Sequence, residues 1–341
     1  MSAIGDSILT LPVACALRDR FPDAYIAWAI ERKSSSVVAN HKALNKVIML
    51  ERGWFGSPLK VWQLRKELRA ERFDTVIDCQ SVTKSALLGW LSGAPRRIGC
   101  KGQYGAELST WLNNELVLPQ HTHLTDRSLD LLAPLGITSP KIRWDFPLSE
   151  QACEEVQKWM QAGTLPQKFA VINPGATWDS KLWEMDRFAS VANYLHRQHG
   201  LPTVVVWGGA REKSWAEEIV AGAPHAAQLA PDTTLPQLAA LIARGEVFVS
   251  SDTGPLHMAV AVGTPSIGLY GSTRPEDCGP YGDPHVGIQK RYHAGSRTER
   301  RNADNSAMKL IHVSDVTPHC DRLLETRSRQ KPLATSRSAA A

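Results

Sequence analysis

The chain is long enough for two domains and has the composition of a globular protein. Its 341 residues exceed the length of a typical domain with one hydrophobic core, so two domains of about 150 residues each are expected. Hydrophobic residues make up 43% and charged residues 21%, which excludes a disordered or fibrous chain. No run approaches the about 18 apolar residues of a membrane span, and no signal peptide is recognisable, so we expect a cytoplasmic protein.

Charge and cysteine spacing limit the partners that this chain is expected to bind. The formal net charge is +5, and basic residues are frequent after Gln289. Such a surface attracts nucleic acid or anionic lipid head groups, and a solvated tail with no partner is the alternative. No nucleic-acid-binding motif accompanies the charge, so nucleic acid is not expected. The six cysteines form no CxxC pair, which argues against a zinc site or a disulfide framework.

Strand-like runs alternate with amphipathic helical patterns along nearly the whole chain. This alternation predicts an α/β fold with parallel sheets and helical crossovers. In the first half we predict strands at residues 24–30, 46–50 and 75–79. Residues 58–72 repeat apolar side chains at helical spacing with Lys and Arg between them, which predicts a surface helix.

The amino-terminal helix raises a problem for the first sheet. A helix is predicted from Asp6 to Phe21, and in a doubly wound sheet such a helix normally follows a buried central strand. Only residues 1–4 precede it, so either the start codon is assigned too late or the chain is truncated. We therefore expect an N-terminal sheet that lacks its first strand, with unpaired edges on the neighbouring strands.

The second half contains four continuous apolar runs, which are typical of strands buried on both faces. These predicted strands are residues 169–173, 203–207, 247–250 and 266–270. The predicted helices between and after them are residues 187–199, 212–221, 235–243 and 256–262.

A proline-containing stretch at residues 136–149 interrupts the periodicity and predicts the domain boundary. We expect an N-terminal domain at residues 1–149 and a C-terminal domain at residues 150–325, which a helix at residues 150–162 opens. Residues 326–341 are expected to be a disordered tail.

The first candidate for chemistry is the turn Ser2-Ala3-Ile4-Gly5-Asp6, which leads into the first helix. Glycine lets the backbone approach a ligand closely, and a carboxylate beside it can accept a proton from an attacking hydroxyl. Asp6 is therefore the general-base candidate. The alternative is an ordinary N-cap aspartate whose oxygens satisfy free helix amides.

The strongest local signal is SSDTGPLH at residues 250–257, between an apolar strand and a helix. Ligands bind at such strand ends, and the free amides and dipole of a helix attract phosphate. Thr253 and Gly254 offer hydroxyl and backbone donors to a diphosphate, with His257 one helical turn beyond Thr253. Asp252 either orients those amides or binds a sugar hydroxyl. The alternative is a capped helix without a ligand.

Two further strand ends carry candidates. Lys181, in the loop at residues 173–183, could neutralise the charge of a departing nucleotide diphosphate in place of a metal ion, whereas most loop lysines are merely solvated. Glu212, in the glycine-rich segment at residues 207–212, either binds a ribose or is a first-turn helix acid.

The sequence contains no GxGxxG, GxxxxGK[ST] or HExxH motif. The usual sequence motifs of dinucleotide-dependent redox enzymes, P-loop hydrolases and zincin proteases are therefore absent.

Taken together, three ordered segments resemble family 9 glycosyltransferases, the lipopolysaccharide heptosyltransferases. They are SAIGDSILTLPVACALRDRFPDA near the start, NPGATWDSKLW in the middle and SSDTGPLHMAVAVGTPSIGLYGST at residues 250–273. The similarity spans residues 2–325. It implies the GT-B architecture of two facing Rossmann-like domains. It also implies inverting transfer of heptose from ADP-heptose to the lipopolysaccharide inner core, with no metal or other cofactor.

The resemblance also implies roles for the candidate residues. Asp6 would be the catalytic base and Lys181 the residue that contacts the diphosphate. The donor-binding residues would be Thr177, Glu212, Asp252, Thr253, Gly254 and His257. Residues 78–85 resemble the acceptor-side loop of members that add the first heptose to Kdo-lipid A, which favours that acceptor. The residues predicted to meet acidic groups of the acceptor are Lys84, Arg96, Arg97 and Lys101.

Two other functions stay open on the sequence. A nucleotide-sugar 2-epimerase of the same two-domain architecture would convert a UDP-sugar without an acceptor. A non-catalytic sugar-nucleotide-binding protein would bind the donor without transferring it, and the short amino terminus makes this second alternative plausible. For the transferase, the expected partners are ADP-heptose and Kdo-lipid A or inner-core lipopolysaccharide. The protein would then work with peripheral contact at the inner face of the cytoplasmic membrane.

Overall fold

The chain divides into two compact units. A computed structural model describes residues 4–106 and 108–330, without the side chains of residues 328–330. The first unit comprises Met1–Leu148 with Glu276–Cys278, and the second comprises Ser149–Pro275 with Gly279–Ala341. The chain passes between the two units at the end of the stretch predicted as the boundary. None of the helices in the described ranges is long and apolar enough to cross a membrane.

The first unit alternates short strands with helices. Its helices are α1 (Ile4–Leu9), α2 (Leu11–Arg20), α3 (Pro58–Ala70), α4 (Thr83–Ser92), α5 (Ser109–Leu112) and α6 (Leu124–Asp130). Its strands are β1 (Ala27–Glu31), β2 (Lys46–Leu50), β3 (Thr75–Asp78), β4 (Arg96–Cys100) and β5 (Glu115–Val117). Short 3-10 turns occur at Arg32–Val37, Trp54–Gly56, Gly102–Tyr104 and Ala133–Leu135.

The strands of the first unit form two separate parallel sheets. One contains only β1 and β2, and the other has the order β3-β4-β5. Among the described residues, no strand pairs with both β1 and β3. β1 and β3 therefore each have one edge that no strand of the described ranges covers.

The predicted amino-terminal helix is present, but it is interrupted at Thr10 between α1 and α2. Pro12 lies in the first turn of α2. Proline has no N–H, and its ring clashes with the carbonyl four residues earlier, so an uninterrupted helix is not favoured there. The Thr10 hydroxyl donates to the carbonyls of Asp6 at 2.9 Å and Ser7 at 3.2 Å, which ties the two segments together.

The second unit is built on a single sheet. Its helices are α7 (Glu150–Gln161), α8 (Met185–His199), α9 (Gly209–Gly222), α10 (Leu235–Arg244), α11 (Gly254–Ala261), α13 (Arg297–Asn302), α14 (Ser306–Lys309) and α15 (Val313–Gln330). The short helix α12 (Pro275–Cys278) begins at Pro275 of this unit, and its other residues are assigned to the first unit. Its strands are β6 (Ala170–Asn173), β7 (Thr203–Val205), β8 (Ala227–Leu229), β9 (Phe248–Ser251), β10 (Ser266–Tyr270) and β11 (Val286–Gln289). One 3-10 turn occurs at Asp179–Lys181.

The six strands of the second unit are all parallel and follow the order β8-β7-β6-β9-β10-β11. This is the doubly wound order, in which the direction of winding reverses between β6 and β9. The four predicted strands correspond to β6, β7, β9 and β10, and β7 ends two residues earlier than predicted. Their residues are buried at every position because helices cover both faces of the sheet.

The last helix, α15, differs from the prediction for the carboxyl terminus. It runs to Gln330, five residues into the segment expected to be disordered. Val316, Cys320 and Leu323 are buried in the core of the second unit, and Arg327 pairs with the mostly buried Glu246 at 3.0 Å. These contacts stabilise the end of the helix against the second unit. Residues 331–341 lie outside the described residues.

Candidate functional site

The strand order of the second sheet reverses between β6 and β9, and a polar network lies at this point. Parallel sheets of this kind bind ligands where the strand order reverses, outside the carboxyl ends of the strands. Asn173 ends β6 and is buried. Its side-chain amide donates to the hydroxyls of Ser250 at 2.9 Å and Thr253 at 3.1 Å. Asn173 thus links the ends of the two strands that flank the reversal.

A buried ion pair lies beside this network. The Lys181 ammonium is 2.6 Å from a carboxylate oxygen of Asp252, and side-chain exposures of 10% and 6% shield the pair from water. The Thr273 hydroxyl donates to the same oxygen at 2.7 Å, and the ring of His257 is 3.4 Å from the other oxygen. Burial favours the neutral acid, yet Lys181 and His257 hold the pKa of Asp252 well below its ordinary value.

The ammonium of Lys181 has a second contact besides its pairing with Asp252. It lies 4.6 Å from the centre of the Trp178 ring, within range of a cation–π interaction. Ser180 fixes the 3-10 turn Asp179–Lys181, because its hydroxyl donates to the carbonyl of Arg300 at 2.7 Å. The lysine is therefore a positioned cation and not a solvated loop residue.

Helix α11 begins next to the ion pair without the usual side-chain cap. Thr253 occupies the N-cap position in extended conformation, but its side chain makes no capping hydrogen bond, because its hydroxyl accepts from Asn173 instead. Pro255 has no N–H, and the Leu256 amide donates to the Thr253 carbonyl at 3.1 Å, so the Gly254 amide is the donor that the missing cap leaves at the positive end of the α11 dipole. This arrangement departs from the capped-helix alternative and provides a donor for an anion.

Glu212 lies at the neighbouring strand end, in the first turn of α9. Its carboxylate accepts from the amide of Gly208 at 2.8 Å. A Cβ placed on Gly175, in the loop after β6, would come within 2.6 Å of the Glu212 carboxyl carbon, so a larger residue there requires the Glu212 side chain to shift. Burial raises the pKa of Glu212, and the Gly208 amide partly opposes this shift.

The structure therefore brings together most of the residues predicted to bind a donor. Lys181 and His257 both contact Asp252, and Thr253 follows Asp252 in the chain and is bound by Asn173. Glu212 packs against the loop that leaves β6. Thr177 is exposed in that same loop.

Two residues of this network carried no role in the sequence analysis. Asn173 and Thr273 both lie within segments that resemble the family, but no chemistry was assigned to them. The available signal was their position, because each polar side chain occurs at or just after the end of a strand predicted to be buried. Gln289, at the end of β11, donates to the Thr273 carbonyl at 2.6 Å and fixes the loop.

The remaining candidates lie in the first unit. Asp6 is half-buried in the first turn of α1. Lys84 is in the first turn of α4 and pairs with Glu31 at 2.7 Å, whereas Lys101 is exposed just after β4. Because β3 and β4 are parallel, Lys84 and Lys101 both lie towards the carboxyl edge of their sheet.

The structure does not place the two arginines with these lysines. Arg96 and Arg97 open β4, so they lie at the amino edge of the sheet, roughly 13–17 Å along the strand from Lys101. Arg96 binds both carboxylate oxygens of Glu115, at 3.0 and 3.1 Å. The Arg97 guanidinium donates to the carbonyls of Ala94 and Leu112 at 2.6 and 2.8 Å. Both guanidinium groups are therefore engaged within the sheet.

Comparison with known proteins finds a family match and relatives that are named as heptosyltransferases. The sequence model of glycosyltransferase family 9 (heptosyltransferase) matches residues 61–307. Lipopolysaccharide heptosyltransferase 3 of Escherichia coli K12 is 31% identical over 278 residues, which cover 79% of this chain and 80% of that protein. Lipopolysaccharide heptosyltransferase 1 of the same strain is 27% identical over 291 residues, covering 82% and 89%.

A solved structure shares the fold over nearly the whole chain. The structure of Escherichia coli heptosyltransferase WaaC with ADP aligns with a TM-score of 0.72 and 22% identity, covering 96% of this chain and 97% of that one. The predicted α/β fold of GT-B class, with its Rossmann-like domains, is thereby confirmed. Because the family match extends over well more than half of the sequence, the predicted enzyme class is confirmed as well: the chain belongs to glycosyltransferase family 9, the heptosyltransferases.

Proposed function

We propose that this enzyme transfers heptose from ADP-heptose to the Kdo/heptose inner core of lipopolysaccharide, with inversion at the anomeric carbon. One observation carries the proposal: in a family 9 chain, a buried lysine lies beside an uncapped helix start where the strand order reverses. The names of the two relatives support a heptose donor and a lipopolysaccharide acceptor, and the presence of ADP in the aligned WaaC structure supports ADP as a ligand.

The donor diphosphate would bind at the start of α11. Charges interact more strongly where water is excluded, so the mostly buried Lys181 is a strong partner for a phosphate. The diphosphate would compete with Asp252 for this ammonium and would accept from the Thr253 hydroxyl and the Gly254 amide of α11. Glu212, two strands away in the sheet, would accept hydrogen bonds from the ribose hydroxyls, with Thr177 nearby.

The transfer itself would be a single displacement. Asp6 would take the proton of the acceptor hydroxyl while that oxygen forms its bond to the anomeric carbon. The bond from this carbon to the β-phosphate oxygen breaks at the same time, and its electron pair leaves with ADP. Lys181 and the amino end of α11 would stabilise the negative charge that develops on the leaving phosphate. Attack opposite the leaving group inverts the configuration.

Lys84 and Lys101 are the residues that we propose for the acidic groups of the acceptor. Both lie towards the carboxyl edge of the β3-β4-β5 sheet, the edge at which ligands of parallel sheets bind. Arg96 and Arg97 are left out because their guanidinium groups are bound elsewhere. Because Kdo-lipid A is a membrane lipid, we also propose that the enzyme makes peripheral contact with the inner face of the cytoplasmic membrane.

Transfer is tested by incubating the protein with ADP-heptose and either Kdo-lipid A or an inner core that already carries heptose. We expect ADP release and a heptosylated product, detected by mass spectrometry, with at least one acceptor. Asp6→Asn should lower turnover about 100-fold or more while the affinity for ADP stays unchanged. The exposed Asp232→Asn serves as control. A near wild-type rate for Asp6→Asn would show that another group is the base.

Donor binding is tested separately by calorimetry with ADP. Lys181→Met should raise the Kd for ADP about tenfold or more, since a charged hydrogen bond contributes at least about 1.4 kcal/mol. The exposed Lys168→Met should leave the Kd unchanged. Equal affinities of both variants for ADP would show that Lys181 is not part of the donor site. In the transfer assay, the absence of transfer from ADP-heptose to either acceptor would overturn the proposed reaction.

A further inference from the structure

The large apolar side chains that are exposed to solvent are concentrated in the first unit. Among the described residues, all of them except Leu310 belong to this unit. Phe55, Leu59 and Trp62 are close together along the chain and are 50%, 64% and 60% exposed. A single exposed apolar residue is normal in a soluble protein, whereas a group of neighbours indicates an interaction surface. The start of α3 is therefore a candidate for such a surface.

Helix α3 has apolar residues on two opposite faces. Its inner face packs Leu64 and Leu68 into the core of the first unit, with Val61 against them. Leu59 and Trp62 are three positions apart and therefore lie together on the helix, and their exposure places them on the outward face. A surface helix normally presents polar residues on that face. The outward pair therefore does not serve the core of this unit.

Basic side chains lie among these apolar residues. Helix α3 contains one acidic residue, Glu67, and four basic residues, which are Lys60, Arg65, Lys66 and Arg69. The Lys66 ammonium lies 5.9 Å from the centre of the Trp62 ring. The Arg65 guanidinium carbon lies 6.0 Å from the centre of the ring of Trp90, a residue of α4 that is 45% exposed. Exposed aromatic rings and positive charges are therefore direct neighbours on this surface.

The surface adjoins a residue that we propose for the acceptor. Trp54, in the turn before α3, is buried, and the Lys84 ammonium lies 5.9 Å from the centre of its ring. Phe55 packs edge-on against the same ring, with 5.8 Å between the ring centres. Trp54 thus has Lys84 on its ring and the exposed Phe55 beside it. The start of α3 therefore lies near the carboxyl edge at which we place the acceptor.

This mixture of residues fits a lipid bilayer better than a protein partner. The centres of protein interfaces are depleted of charged residues, and interfaces as a whole are depleted of lysine. At a bilayer surface, tryptophan rings lie at the level of the head groups, and lysine stems extend along apolar surface towards the lipid phosphates. Basic side chains are also attracted to anionic lipids. Lys66 beside Trp62 therefore favours an anionic membrane surface.

We propose that one face of the first unit docks on an anionic phospholipid bilayer. This docking face consists of Phe55, Leu59, Trp62, Arg65, Lys66 and Trp90. Its apolar side chains enter the head-group region, and its basic side chains bind lipid phosphates. Docking brings Lys84 close to the head groups of a membrane-bound acceptor. The inference rests on the proposed lipid acceptor for the choice of partner, whereas docking itself needs neither donor nor acceptor.

Docking is tested by sedimentation of the full chain with vesicles of phosphatidylcholine that contain about 30% phosphatidylglycerol. We expect the wild type to bind these vesicles and to dissociate in about 1 M salt, which screens the charges. The double variant Leu59→Gln/Trp62→Gln should bind at least about tenfold more weakly, since two apolar side chains no longer enter the bilayer. Lys66→Gln should bind about fivefold more weakly.

The control is Leu310→Gln, which removes an exposed leucine of the second unit that follows the basic Lys309. This variant should bind the vesicles as the wild type does, and all variants should keep the wild-type unfolding temperature because the changed side chains are exposed. The proposal is overturned if the wild type does not bind the anionic vesicles, or if the double variant binds them as tightly. Dimerisation without lipid that the double variant abolishes would assign the face to a second copy of the chain and would also overturn it.

A second measurement separates docking from the proposed reaction. Turnover of a water-soluble acceptor without acyl chains should be equal in the wild type and in the Leu59→Gln/Trp62→Gln variant. The KM for an acceptor embedded in the same vesicles should rise at least about fivefold in the variant, because fewer enzyme molecules are docked. Vesicle binding without transfer to either acceptor would refute the reaction and support docking. Equal KM values for the embedded acceptor would overturn the role of this face.

Discussion

The two units carry the same alternation of strands and helices, but only the second has a continuous sheet. In the second unit, β6, β9 and β10 are buried at every position. In the first unit, β1 and β3 are half-buried at all but one position each. Helices cover the faces of strands in both units, so the difference lies at the strand edges. A strand of a parallel sheet becomes fully buried only when neighbouring strands cover both of its edges.

The same difference determines where functional side chains meet. The continuous sheet aligns the carboxyl ends of β7, β6, β9 and β10, and residues from these ends contact one another around Asp252 and Glu212. In the first unit, Lys84 and Lys101 lie towards the carboxyl edge of the three-stranded sheet, and Lys84 reaches the two-stranded sheet through its pair with Glu31. A continuous strand order thus gives residues from several strands one shared edge at which a site can form.

The largest effect that distinguishes the two sheets should come from a matched pair of core substitutions. Ile172 is fully buried in β6, and Ile77 occupies the corresponding third position of β3 but is only half-buried. Ile172→Ala should lower the free energy of unfolding of its unit by about 4 kcal/mol, and Ile77→Ala by less than half of this. Urea unfolding followed by hydrogen exchange in each unit measures both. Equal losses would show that the open edge leaves β3 as well packed as β6.

The next effect concerns the buried ion pair. Lys181→Met should lower stability by about 3 kcal/mol at pH 7, because it leaves Asp252 buried without its cation. The folded pKa of Asp252 is lowered, so its contribution is complete above the unfolded value of about 4 and is lost as the pH falls towards the folded value. The difference between wild type and variant should therefore shrink below pH 4.

The control for this prediction is an exposed pair in the first unit. Arg32 and Glu51 are 2.8 Å apart but more than half exposed, so Arg32→Met should produce a barely measurable loss of stability. Denaturation of both variants across pH 3 to 7 makes the comparison. If the loss of stability in Lys181→Met were equally small, or if it grew as the pH fell, the assignment of a buried, ionised Asp252 would be contradicted.

The sequence was informative where burial was complete. The runs at β6, β9 and β10 are uniformly apolar and were predicted within one or two residues of their observed ends. Strand β4 was missed because it opens with two arginines, whose guanidinium groups bind Glu115 and main-chain carbonyls. Strands β8 and β11 were missed because their side chains are mostly half-buried at the ends of the sheet, so they lack a strong apolar signal.

The candidate site was predictable in its location but not in its pairings. Strand ends with Gly, Asp and Thr indicated where a ligand binds. The contact between Lys181 and Asp252 joins residues 71 positions apart, which no local pattern encodes. Charge alone did not indicate the position of Arg96 and Arg97 in the sheet, because a basic residue near a loop does not reveal at which edge it lies.

A smaller effect is expected at the glycine that Glu212 approaches. Gly175→Ala would place a methyl group within 2.6 Å of the Glu212 carboxyl carbon, so the side chain must shift and lose its bond to Gly208. We expect a loss of stability of about 1 to 2 kcal/mol and weaker ADP binding. Gly56→Ala, where the added methyl group has no neighbour within 4 Å, is the control. An unchanged affinity of Gly175→Ala for ADP would show that Glu212 does not contribute to donor binding.

The smallest effect should distinguish the two edges of the three-stranded sheet in the first unit. If the acceptor binds at the carboxyl edge, Lys101→Gln removes one exposed charge near it and should raise the KM for the acceptor about two- to fivefold. Arg96→Gln should leave this KM unchanged, because that guanidinium already binds Glu115 at the amino edge. Steady-state kinetics with saturating ADP-heptose measures both. If Arg96→Gln raised the KM for the acceptor and Lys101→Gln did not, the acceptor would bind at the amino edge. Arg96 would then have to release Glu115 and bind an acidic group of the acceptor instead.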